Sequence, residues 1–191
     1  MDKGRLSAIR SVLEESSRVK LELFGLAEEI SSAAELLIEC IKSGHKVMFC
    51  GNGGSAADSQ HMSCELVEKF TRRRKALPAM ALTTDTSILT AVPNDESFDL
   101  LFSRQIEALG KAGDVLVAIS TSGSSPNVLK ALQQAKGMGI HTIGLTGAQG
   151  EGMAEGSELL IKVPSTSVPR IQECHITIGH ILCELVESEL A

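Results

Sequence analysis

The sequence contains no tryptophan and no tyrosine, and its five phenylalanines leave the aromatic content at 3%. Stacking platforms of the kind that hold single-stranded nucleic acid are therefore almost unavailable, and so are flat faces for closed sugar rings. Long apolar runs are also missing. No stretch reaches the ~18 residues of a membrane span, and the opening Met1-Asp2-Lys3-Gly4-Arg5 runs into a mixed polar and apolar stretch rather than a secretory leader. Positive charge is in deficit, with 18 Lys and Arg against 24 Asp and Glu, a net charge of −6 and a pI near 5.4. Such a field repels polyanions, so neither nucleic acid nor a membrane is expected as a direct partner. The five cysteines, Cys40, Cys50, Cys64, Cys174 and Cys183, are odd in number and form no C-x-x-C pair. That pattern suits a reduced, cytoplasmic chain.

What is present fits one globular domain of 191 residues, 43% hydrophobic and 22% charged. From about Leu6 to Ser43 there is no proline and only one interior glycine. Apolar residues there recur at Leu21, Phe24, Leu26, Ile30, Ala34, Leu37, Ile38 and Ile41. The spacing predicts two amphipathic helices over residues 1–43 that pack on the core or on a neighbouring subunit. Beyond Gly44, strands are expected at Lys46–Cys50, Pro78–Leu82, Asp114–Ser120, His141–Leu145 and Glu158–Val163. Helices are expected at Ala56–Phe70, Ser97–Leu109, from Pro126 through Lys136, and from Val168 to Leu190. Strands alternating with helices at this spacing indicate an α/β fold, a doubly wound parallel sheet flanked by helices, with an N-terminal helical element. The basic run Arg72-Arg73-Arg74-Lys75 reads as a solvated or subunit-contacting turn.

Two small-residue loops follow strands, where ligands of such sheets bind. Gly51-Asn52-Gly53-Gly54-Ser55 lets the backbone approach an anion at the positive end of the next helix. It lacks a Walker lysine and does not spell G-x-G-x-x-G, so a dinucleotide site is poorly supported, and a plain strand-to-helix turn would look the same. The second loop, Ser120-Thr121-Ser122-Gly123-Ser124-Ser125, puts five hydroxyls in six residues ahead of Pro126, which suits a first helical turn. Two such loops on one sheet favour a phosphate site.

His61 and Glu65 stand four apart in a predicted helix, so they share a face and could ligate one ion or simply form a surface pair. Gln172 and His180 are harder to join, because eight helical residues rise about 12 Å and turn some 80° off a common face. By spacing, His175 matches Gln172 better. Cys64 reads as a packing residue, Lys69 as an exposed helix-end cation or one that faces a substrate in a neighbouring subunit, and Asp58 and Ser59 as capping or solvating the start of their helix.

Ile119-Ser-Thr-Ser-Gly-Ser-Ser125 resembles the phosphate loop of sugar isomerase (SIS) domains. Cys50-Gly-Asn-Gly-Gly-Ser-Ala-Ala-Asp-Ser-Gln-His61, together with Arg170-Ile-Gln-Glu173, resembles the bacterial phosphoheptose isomerases, and the similarity runs through nearly the whole chain. The resemblance implies a single SIS domain over residues 1–191 and an aldose–ketose isomerase acting on sedoheptulose 7-phosphate. The product would be D-glycero-D-manno-heptose 7-phosphate, the first step towards activated heptose for lipopolysaccharide core or related glycans. It implies substrate contacts from Asn52, Gly53, Gly54, Ser55, Glu65, Asn94, Asp95, Ser120, Thr121, Ser122, Ser125 and Gln172. It also implies one zinc ion held by His61, Glu65, Gln172 and His180, with Glu65 and His180 catalytic, and a homotetramer with active sites at subunit interfaces. His175 is then left as a partly buried polar residue. Some relatives carry an acidic residue just before Arg170-Ile-Gln-Glu173 where this chain has Pro169, which puts any sugar contact from that position in doubt. One group resembling this chain in fold is non-catalytic and binds the replication initiator, and other SIS domains sense phosphosugars within regulators. The initiator-binding group tends to lose the counterparts of Glu65 and His180, and both are present here.

Overall fold

The computed structural model describes residues 2–191. Asp2 accepts hydrogen bonds from the N–H groups of Gly4 and Arg5 and opens helix α1 (Lys3–Glu22). A 3₁₀ turn at Leu23–Leu26 joins it to α2 (Ala27–Lys42). Then follow β1 (Val47–Gly51), α3 (Gly54–Val67), β2 (Ala79–Ala81), α4 (Thr86–Asp95), α5 (Leu101–Leu109), β3 (Val115–Ser120), α6 (Pro126–Gly137), β4 (His141–Thr146), β5 (Leu159–Lys162) and α7 (Val168–Leu190). The strands form a parallel sheet in the order β2-β1-β3-β4-β5. The α/β doubly wound architecture expected from the alternation is therefore observed, with the N-terminal helices in place.

Strand side chains alternate between two cores, as the two-residue period requires. Val47, Phe49, Val115, Val117 and Ile119 face the layer of α2, α3 and α7. Met48, Cys50, Leu116 and Ala118 face α5 and α6. Both faces are dry, which is why these strands read as nearly continuous apolar runs.

One element was not anticipated. Helix α4 contains Pro93, a residue that ordinarily marks a break, but it sits in the last turn, and Asp85 caps the other end by accepting from Ser87 and Ile88 N–H. The helix expected at Ser97–Leu109 begins as a 3₁₀ turn over Phe98–Leu100 before α5.

The order of strands positions the ligand loops. The chain leaves β1 towards β2 on one side and returns to β3 on the other, so β1 and β3 flank the switch point of the sheet. Both small-residue loops emerge there, side by side, with Gly51 paired in register to Ile119.

Candidate active site

The first loop leads straight into α3, whose N-cap Gly53 offers no side-chain cap. The second leads into α6, and its N-cap Ser125 also makes no side-chain cap bond. Neither helix has a capping side chain; the N–H groups of Ser55, Ala56 and Val128 turn back to the carbonyls of Asn52, Gly53 and Ser125 and Pro126 carries none, which leaves the first-turn N–H groups of Gly54 and Asn127 for a ligand. Ser120 organises the second loop. Its Oγ lies 3.0 Å from Ser125 Oγ and accepts from Gly123 N–H at 3.2 Å. Ser122 is exposed, and its Oγ receives the Ser124 hydroxyl at 3.0 Å. Thr121 is half-buried, and Ser55 is buried at the start of α3.

The two loops are tied together by a reciprocal carboxamide pair. Asn52 Nδ2 donates to Asn127 Oδ1 at 2.9 Å, and Asn127 Nδ2 donates back to Asn52 Oδ1 at 2.9 Å. Asn127, in the first turn of α6, is buried, and sequence reading did not single it out. A signal existed in its position one residue after Pro126, where an interior-facing amide needs a partner.

Further along α3, His61 and Glu65 share a face with Nε2 and Oε1 3.1 Å apart. His180 of α7 joins them, its Nε2 3.3 Å from His61 Nε2. One ligand atom from each of the three falls within 4.8 Å of the others. The approach is close because Gly179 adjoins Met62, and a Cβ there would overlap the methionine sulfur. Gln172, on the same α7, meets the start of α3, where a Cβ on Gly54 would come within 2.5 Å of its amide nitrogen. The structure therefore brings His61, Glu65 and His180, three of the four expected metal ligands, within 4.8 Å of one another and sets Gln172 against Gly54 on the same helix pair.

The donor set suits zinc. Two imidazoles and a carboxylate, with His61 facing solvent, are a three-ligand arrangement that leaves a position for an exchangeable oxygen. Asp58, one turn before His61, adds a second sign of a cation site. Its Oδ2 is buried with no hydrogen-bond partner among the described residues. Burial raises its carboxyl, and the neighbouring His61 and His180 counter this in part. Asp58 is thus more than the expected helix-start solvator.

Other residues depart from expectation as well. His175 is fully buried rather than partly so, its Nε2 3.2 Å from Thr146 O, and burial pushes its imidazole down to about 4. Cys64, expected to pack, is exposed. Within the basic run, Arg74 turns inward. Its side chain is 2% exposed, its Nε stands 3.3 Å from Glu187 Oε1, and its Nη groups donate to the carbonyls of Glu65 and Leu66. Asn94 and Asp95 are exposed at the end of α4, where Asn94 Nδ2 donates to Asp95 Oδ1 at 2.7 Å, and Lys69 is exposed beyond α3.

The SIS domain family matches residues 12–147. A phosphoheptose isomerase of Rhodospirillum rubrum is 53% identical over 95% of this chain and 97% of its own length. That of Aquifex aeolicus is 49% identical over 96% of each. The chain belongs to the phosphoheptose isomerase family. Its fold superposes on the phosphoheptose isomerase of Neisseria gonorrhoeae with a TM-score of 0.90 at 44% identity, covering 96% of this chain and 98% of that one. For the enzyme of Francisella tularensis the TM-score is 0.93 at 36% identity, with the same coverage. In this phosphoheptose isomerase family member, the glycine loop, the serine loop and the His61–Glu65–His180 cluster all belong to elements that meet at the β1/β3 switch point or along the α3–α7 seam.

Proposed function

We propose that the chain converts sedoheptulose 7-phosphate to D-glycero-D-manno-heptose 7-phosphate through an enediol(ate). The observation that carries this reading is the convergence of His61 and Glu65, on the helix α3 that begins at the glycine loop, with His180 of α7. An open-chain heptose phosphate places its phosphate and its reacting C1–C2 end at opposite ends of the molecule. The ~10 Å of α3 between the glycine loop and His61 supports binding in that orientation, phosphate at the loops and C1–C2 at the cluster.

Isomerisation moves one hydrogen between C1 and C2, which needs a base to remove a carbon-bound proton, an acid to return one, and stabilisation of charge on oxygen. Glu65 Oε and His180 Nε2 are the pair for the proton transfers, facing the same space from two helices. The uncapped N–H groups of α3 and α6, with the hydroxyls of Ser55, Ser120, Thr121, Ser122 and Ser125, hold the phosphate dianion. Asn52, Gly53, Gly54 and Gln172 line the path from loop to cluster, and Asn94 and Asp95 are the proposed hydroxyl contacts from α4. A zinc ion held by His61, Glu65 and His180, with Gln172 as a weak fourth donor, would supply a Lewis acid that polarises the carbonyl, and Glu65 and His180 would move protons only while their own coordination is loosened. The same reading makes the protein a cytoplasmic homotetramer with interface active sites. It would act at the first step of ADP- or GDP-heptose formation for lipopolysaccharide core or related glycans.

The test is incubation of zinc-loaded and chelated protein with sedoheptulose 7-phosphate, following aldose formation. Glu65→Gln and His180→Gln are expected to lower turnover by roughly 100- to 10,000-fold while the fold is kept. Serine-to-alanine changes at Ser55, Ser120, Ser122 or Ser125 are expected chiefly to raise KM. Near-normal turnover in both Glu65→Gln and His180→Gln refutes the assignment. Absence of turnover in every wild-type preparation moves the reading to a non-catalytic phosphosugar-binding protein.

A further inference from the structure

A buried carboxylate that takes no part in the chemistry above lies two turns beyond His180 on α7. Glu187 is 1% exposed. Its oxygens accept the backbone N–H groups of Phe70 at 2.8 Å, Thr71 at 2.7 Å and Arg72 at 2.8 Å, together with the Thr71 hydroxyl at 2.9 Å. Three consecutive amides gathered on one carboxylate fix the course of the chain directly after α3, at a place where side chains alone would leave an exposed polar turn free to move.

Two consequences of that anchor reach the proton-transfer pair. The first is Phe70, whose ring lies 5.4 Å from the His180 imidazole, centroid to centroid, tilted by 38°. With His61 on another side at 5.0 Å and 64°, the imidazole is held between two rings. The second is Arg74, which pairs with Glu187 and carries its guanidinium under the carbonyls of Glu65 and Leu66 at 2.7 and 2.9 Å. Those carbonyls belong to the last turn of α3, where helix carbonyls lack internal partners, and a cation there is favourable. One side chain thus fixes both the ring that abuts His180 and the cation that closes the turn bearing Glu65.

We infer that Glu187 is a positioning residue for isomerisation, seating Phe70 against His180 and Arg74 beneath Glu65. The inference rests on the assignment of Glu65 and His180 as the reacting pair. It also gives the buried member of the basic run a role unrelated to binding an external anion.

The test uses zinc-loaded full-length enzyme and two variants. Glu187→Gln keeps the shape but replaces one acceptor oxygen with a donor facing N–H groups. Phe70→Leu keeps the anchor and removes the ring. Because misplacement of a reacting group by about 1 Å can cost on the order of 100-fold, both variants are expected to lose about 10- to 100-fold in kcat, with KM changed by less than about threefold. Assays run well below each melting temperature, so a purely structural role would leave kcat untouched. The independent readout is the His180 ring signal in NMR of ring-labelled histidine, tractable with five histidines in the chain and assigned by its loss in His180→Gln. Removing the Phe70 ring shifts that signal, and Glu187→Gln is expected to shift it in the same direction. A folded Glu187→Gln protein with wild-type kcat and an unmoved His180 signal overturns the inference. If Glu187→Gln does not fold, Phe70→Leu decides, and wild-type kcat in that variant overturns it equally. Should His180→Gln itself prove fully active, the assignment of the pair fails, and the ring signal alone judges whether Glu187 positions His180.

Discussion

The reciprocal Asn52–Asn127 pair makes a quantitative prediction about how the two ligand loops are held. Asn127 is 1% exposed, and its carboxamide gives and receives one hydrogen bond of 2.9 Å across the switch point. With a net worth of roughly 1 kcal/mol for each buried amide bond, Asn52→Ala or Asn127→Ala alone is expected to cost about 2 kcal/mol. The double variant loses the same two bonds, so its cost is also about 2 kcal/mol rather than 4, giving a coupling energy near 2 kcal/mol, within the range for side chains in contact. Asn127→Asp is a sharper probe. At neutral pH it sets a buried carboxylate against Asn52 Oδ1, so its loss should exceed that of the alanine variant and shrink in acid, where the protonated group donates again. The chain has no Trp or Tyr, so unfolding in urea is followed by far-ultraviolet circular dichroism, at one fixed protein concentration because any self-association would make the midpoint depend on concentration. KM for the phosphosugar should rise in both single variants, since each frees one loop from the other. Additivity of the two alanine substitutions within about 0.5 kcal/mol would refute the reasoning, because residues that do not share bonds add.

Two further expectations follow from buried groups and close approaches. Burial alone would raise the Glu187 carboxyl, but the N–H groups of Thr71, Phe70 and Arg72 overcome it and hold it at about 2, below its ordinary 4.5. A depressed folded value means that the contribution, about 3 kcal/mol, is complete above pH 4.5 and is lost as pH falls towards 2. His175, pushed from 6.5 to about 4 by burial, acts in the same direction between pH 6.5 and 4, where the unfolded chain binds the proton that the folded chain refuses. Urea midpoints should therefore fall steadily below pH 6.5, with the fall below pH 4.5 smaller in Glu187→Gln but not abolished, since Asp114 and Glu173 are also held below the usual carboxylate range by their partners, and a flat profile between pH 7 and 3 would contradict both. In the second case, a Cβ on Gly150 would overlap the side chain of Thr146, and one on Gly123 would overlap the Gly150 backbone. Gly150→Ala should thus cost about 1–3 kcal/mol and raise KM by displacing the serine loop. Gly137→Ala, with nothing within 4 Å of the added carbon, should stabilise α6 by about 0.5–1 kcal/mol, and equal melting shifts in the two variants would contradict the contrast.

The sequence carried the layer plan because that plan depends on local pattern. The run Val115–Ser120 is apolar on both faces because both faces are covered, and α7 was delimited correctly at Val168 and Leu190 because a proline near one end and amphipathic spacing between them are local signals. Helix α4 escaped because Pro93 reads as a break unless its place in the last turn is known. The parts of the site that were not legible are contacts between residues far apart in the chain. Asn52 meets Asn127 across 75 positions, and Phe70 meets Glu187 across 117. Nothing in a run of Arg72-Arg73-Arg74-Lys75 tells which arginine turns inward, because that is decided by a carboxylate on another helix. The same limit applies to the aromatic deficit. Scarcity of rings excludes a stacking platform for a ligand, but it says nothing about where the few rings go. Phe70 packs against His180, so this ring is engaged with a side chain of the site rather than offered as a stacking face. A chain can therefore be poor in aromatics and still depend on one for the geometry of its reacting groups.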